Sequence, residues 1–132
     1  MFLQSIEMKD RLAFIDLANF LIRIDGVITQ DEVDILESYR DEMQVEEITF
    51  NSETTLEEII DNISEDMITR RILVFELLGI AYSDAEYSLE EKTFISKVAD
   101  LLGLGGIEQF ENAVIHLISA TQYATDLIMG EE

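Results

Sequence analysis

Four carboxylates of this chain recur in matched surroundings. Asp25 and Glu32 sit in Ile24-Asp25-Gly26-Val27-Ile28-Thr29-Gln30-Asp31-Glu32, and Asp84 and Glu91 occupy the same places 59 residues later in Ser83-Asp84-Ala85-Glu86-Tyr87-Ser88-Leu89-Glu90-Glu91. Each stretch runs through an acidic residue, a short turn, a hydroxyl and paired carboxylates. Hard divalent cations prefer oxygen ligands, so Asp25, Glu32, Asp84 and Glu91 form a candidate site for Ca2+ or Mg2+. The same residues also have a purely structural reading. Asp25 and Gly26 can end one helix, glycine accepting the left-handed backbone there, while Glu32 closes a capping box with Thr29 at the start of the next. Both readings stay open on the sequence.

Other chemistry finds little material. There is no cysteine and one histidine, His116, whose helical position near Asn112 and Tyr123 makes it a solvated surface residue. Gly103-Leu104-Gly105-Gly106 lacks the lysine of a phosphate-binding loop and follows an apolar helical pattern, so it reads as a stop signal. Asp25, Gly26, Ile28 and Glu32 match the later half of an EF-hand loop. The first half fails, because its ligand positions fall on Leu21 and Arg23, which offer no oxygen. An enzyme is not expected.

Net charge is −21, from 29 acidic and 8 basic residues. Such a surface repels phosphate backbones and anionic headgroups, so nucleic acid is excluded as a partner, and cations or basic protein surfaces are favoured. The longest apolar run, Ile72 to Tyr82, contains Glu76 and is about half of the ~20 residues a membrane-spanning helix needs. No direct membrane insertion is expected. The first residues lack the basic start and apolar core of a secretory signal, and the expected location is the cytoplasm. Proline is absent, which leaves long helices unopposed.

These carboxylates need helices to position them. From Arg11 to Ile24 apolar residues cover most of a helical circumference and leave Asp16, Asn19 and Arg23 as a thin polar strip; Phe2, Leu3 and Ile6 form a short preceding helix. A second helix starts at Thr29 and turns Val33, Ile35, Leu36, Tyr39 and Met43 inward. Thr54 or Thr55 caps a short helix running to about Asn62. The pattern from about Asp66 to Ser83 is apolar all round except at Glu76, which marks the centre of the core. Ser88 to Glu91 repeats the capping box, and the helix it opens turns Phe94, Ile95, Val98, Leu101 and Leu102 inward. A last helix, about Ile107 to Ile128, aligns Ile107, Phe110, Val114, Leu117, Ile118, Thr121 and Ile128 to close the core. The expectation is an all-α single domain over residues 1–132, a bundle of about six or seven helices with pseudo-repeated hairpins over about 11–43 and 70–102.

At this point the chain resembles the tellurite-resistance TerB-like family. The resemblance rests on Phe14 to Leu36, with its apolar helix, Asp-Gly turn, Ile28 and Glu32, and on Leu77 through Leu104, with an apolar helix, an aspartate turn, a glutamate and a closing Leu-Gly-Leu. The second turn departs from the first, with Ala85 where Gly26 stands and Glu86 and Tyr87 in place of Val27 and Ile28. The resemblance implies a helical bundle without established catalysis and a stress-associated cytoplasmic protein. Its acidic turns are connected with divalent metals, and its partners include membrane-bound stress-response components. The alternative is a protein-interaction module that docks a basic partner through its acidic surface and has no metal site.

Overall fold

The computed structural model describes residues 2–24, 54–83 and 87–130, together with Gln30, Val33, Asp34, Glu37, Ser38 and Asp41. Every regular element among them is helical. A 3-10 turn at Leu3–Ser5 precedes α1 (Met8–Ile22), α2 (Leu56–Asp61), α3 (Met67–Ala81), α4 (Leu89–Leu101) and α5 (Glu108–Met129). The all-α class is as expected. Five α-helices among the described residues are fewer than the six or seven expected: the short helix expected over Phe2, Leu3 and Ile6 is a 3-10 turn, and the helix expected from Thr29 falls mostly outside the described residues. The six described residues there are helical and exposed; the Asp25-Gly26 helix end and the Thr29 capping box lie outside the described residues.

The core is built on α1 and α3. Phe14, Leu17, Ala18 and Leu21 from α1 and Leu73, Val74, Leu77 and Leu78 from α3 are almost wholly inaccessible, and α3 also packs against α4 and α5. The shift of 59 residues that relates the acidic turns relates these helices as well, since Met8–Ile22 moved by 59 becomes Met67–Ala81. Local chemistry fixes their ends. Asp66 opens α3 by accepting from the Thr69 backbone N–H at 3.1 Å and its hydroxyl at 2.9 Å. Thr55, not Thr54, caps α2 by accepting from the Glu58 N–H. α4 ends where Gly103 takes φ +79; the Leu104 N–H then donates to the Ala99 carbonyl and the Gly103 N–H to the Asp100 carbonyl, the two bonds that satisfy a helix end closed by a left-handed residue.

Polar side chains tie the segments to this core. Asp10, fully buried, accepts from the Ser64 N–H at 2.9 Å and the Ser64 hydroxyl at 2.6 Å, so the start of α1 is pinned to the connection entering α3. Glu76, also buried, accepts from the Phe2 N–H at 2.8 Å. Arg11 donates back to the carbonyls of Ile6 and Gln4, while its counterpart under the shift, Arg70, donates to those of Ser64 and Leu102.

Four expectations need correction. Val33, expected on an inward apolar face, is exposed. Asn19 does not belong to a solvated strip: it is buried, with Nδ2 donating to the Ile15 carbonyl at 3.0 Å. Leu101 is 41% exposed, and Leu102, past the last helical turn, takes the inward place. The last helix closes the core only with its first two turns. Ile107, Glu111 and Val114 are buried, but Leu117, Ile118, Thr121 and Ile128 are exposed. The helical period continues to Met129, whereas among the described residues there is nothing left to cover its face.

Candidate functional site

The second acidic turn joins α3 to α4. α3 ends at Ala81; the Ser83 hydroxyl donates to the Ile80 carbonyl at 2.6 Å. Tyr87 and Ser88 lead into α4, where the capping box is complete: the Glu91 N–H donates to Ser88 Oγ at 3.1 Å, and the Ser88 N–H donates to Glu91 Oε1 at 3.0 Å. One oxygen of this candidate ligand therefore already serves the helix end.

Around this turn a polar network links three helices. The Tyr82 and Tyr87 rings lie 4.4 Å apart at 30°. The Tyr87 hydroxyl donates to Glu111 Oε2 at 2.7 Å, and Lys92 Nζ lies 3.7 Å from the same oxygen. Glu111 is only 8% exposed, and its charge is met by a phenol and an ammonium. Burial first, then the hydrogen bond to Glu111, holds the Tyr87 hydroxyl well above the ordinary tyrosine range; burial and the Glu111 charge push Tyr82 the same way. A phenol so disposed keeps its proton at neutral pH. The network clamps the base of the turn to α5.

Phe20, in the last turn of α1, stacks on Phe94, in the second turn of α4, with centroids 6.3 Å apart. Thus the end of α1 adjoins the part of α4 that follows the second turn. Of the expected site residues, Glu91 stands at the start of α4, half-buried, while Asp25, Glu32 and Asp84 lie outside the described residues. Among the described residues no group of three or more His, Cys, Asp or Glu side chains could hold a metal ion. His116 is exposed.

Glu111 and Lys92 do not stand out in the sequence, and Tyr87 does so only as the residue in the place of Ile28. A signal for Glu111 exists: it lies three residues before Val114, on the same helical face, where a lone carboxylate among apolar residues calls for a partner. A further carboxylate, Asp16, lines a small cavity of about 200 Å³ with Lys9, Leu12 and Asn62, and burial raises its pKa. No helix among the described residues is long and apolar enough to cross a membrane.

The profile of a family described as tellurite resistance protein TerB matches residues 11–114. No curated protein and no solved structure matches significantly.

Proposed function

This chain belongs to the TerB family of tellurite resistance proteins, and on that premise we propose that it acts without catalysing a reaction, as a cytoplasmic binding module of a tellurite or other stress response. Its two acidic turns, carrying Asp25, Glu32, Asp84 and Glu91, take up a divalent cation, Ca2+ or Mg2+, for which carboxylate oxygens are the natural ligands. The observation that supports this reading is the Phe20–Phe94 stack. It ties the end of α1, from which the first acidic turn leaves, to the part of α4 into which the second acidic turn leads. Two turns leaving one end of the bundle can contribute to one site.

The test is thermal. A ligand that binds only the native state raises the melting temperature by mass action, so millimolar calcium or magnesium should stabilise the protein. Diffuse screening of the −21 charge would also stabilise it, and Asp25→Asn separates the two, because it removes one charge and leaves screening almost untouched. Loss of most of the cation-induced shift in Asp25→Asn and in Asp84→Asn is the expected result. An unchanged shift in both would leave the turns as helix caps.

A second reading has its own support in the engagement of Glu91 by the Ser88 amide and of Glu111 by Tyr87 and Lys92. Carboxylates already satisfied by protein donors serve poorly as ligands, and the acidic surface would then dock a basic protein partner, among them membrane-bound components of the same response. Exposed-charge docking weakens steeply with monovalent salt, whereas a chelated ion is much less sensitive.

A further inference from the structure

The family match ends at residue 114, and so does the buried part of α5. Beyond it the helix continues to Met129 with Ile115, Ile118, Tyr123, Leu127 and Ile128 exposed, Leu127 at 70% and Ile128 at 81%. From Asn112 to Thr125 the sequence has no Asp, Glu, Lys or Arg, the longest run without a charged side chain in a strongly acidic chain. At the base of the same helix lies an apolar groove of about 640 Å³, lined by Phe2, Ile68, Ile72, Phe75, Phe110 and Ala113, with Arg71 as its one charged lining residue. Groove and protruding helix are continuous. Ala113, which lines the groove, is followed at spacings of four and three by Leu117, Ala120, Ala124 and Leu127, a single stripe along one face of the helix.

We infer that this stripe and groove are a dimer interface, occupied by the α5 helix of a second copy of the chain running antiparallel. A twofold axis near Ala120 sets Leu127 and Ile128 of each copy over Phe110 and Ala113 of the other, so that the exposed end of one helix fills the groove at the base of its partner. Such an interface is self-complementary, as a twofold requires. Charge fits the same arrangement. Arg71 is exposed and makes no hydrogen bond or ion pair among the described residues, and the antiparallel pairing brings to it the carbonyl end of the partner's helix, where a cation is favoured, with Asp126 in its last turn. Two copies of charge −21 repel, and this uncharged face is where they can approach most closely.

Size requires the groove. α5 has 22 residues, so it is about 33 Å long and presents a strip about 11 Å wide. Two such strips cover on the order of 700 Å², short of the roughly 1,200 Å² of a stable interface. Filling the two grooves adds to this area, which places the pair at the low end of interface sizes, among weak and transient ones.

The test is the concentration dependence of mass in solution, by sedimentation or light scattering, on the full chain. A dimer is expected whose affinity rises with sodium chloride, because salt screens the repulsion between two polyanions. Leu127→Glu should weaken it roughly tenfold or more while leaving the melting temperature of the monomer in place, since Leu127 is exposed there. The chain has no cysteine, so Ala120→Cys, close to the axis, should form an intermolecular disulfide under mild oxidation, and Lys97→Cys, on the exposed face of α4, should not. A protein that stays monomeric at millimolar concentration and high salt, or cross-links equally from both positions, overturns the proposal.

Discussion

α1 and α3 can be compared residue by residue, because one shift carries each onto the other. Buried Phe14, Ile15, Leu17, Ala18, Leu21 and Ile22 fall on buried Leu73, Val74, Glu76, Leu77, Ile80 and Ala81. The two helices differ in their buried polar groups. Asp10 answers to Thr69, Leu17 to Glu76 and Asn19 to Leu78. Asp10 holds the connection before α3, Glu76 holds the backbone of Phe2, and Thr69 and Asn19 bond within their own helix or its cap. Burial is thus shared and tethering is not: the helices match in which positions they hide and differ in the outside segment each one holds.

The largest effect should come from charging the common core. Leu77→Asp, and Ala18→Asp at its counterpart, each bury an unpaired carboxylate at a cost of several kcal/mol, and neither variant should show helical circular dichroism. A folded Leu77→Asp would mean that α3 is not central. Truncation is milder and measures the two halves against each other. Phe14→Ala should cost about 3–5 kcal/mol and Leu73→Ala about 2–5 kcal/mol in denaturant unfolding, each in one transition. A near-silent Phe14→Ala would break the equivalence.

The tethers come next. Asp10→Ala leaves the Ser64 amide and hydroxyl without their acceptor and should cost about 1–3 kcal/mol, read as a lower denaturation midpoint. The smallest effect is a pH dependence at the second turn. The folded-state pKa of Tyr87 is raised above its unfolded value near 10, so its contribution is fully present below that pH and is lost as pH rises further. Tyr87→Phe should therefore flatten the alkaline fall of the melting temperature, with Tyr82 retaining part of it.

Much of this was legible in the chain. Helix starts carry side-chain chemistry, and Asp66, Ser88 and Thr55 stand where hydroxyl or carboxylate capping predicts; Glu76 stood out as the one polar residue in an apolar run. Asp10 and Asn19 were hidden because their acceptors and donors come from backbone geometry, Ser64 being 54 positions away from Asp10. Glu111 was hidden because the phenol that meets it, Tyr87, comes from the connection before α4, 24 positions away. The exposed half of α5 illustrates a different limit: a period reports that a face is apolar, and says nothing of whether the fold provides a surface to cover it.

Whether the two acidic turns act together is measured most directly by a calorimetric titration of the metal-free protein with calcium and with magnesium, repeated on Asp25→Asn and Asp84→Asn. One saturable site per chain, lost in either variant, is the result predicted for turns that share an ion. Absence of saturable heat with both cations, or a site that survives both substitutions, would contradict it.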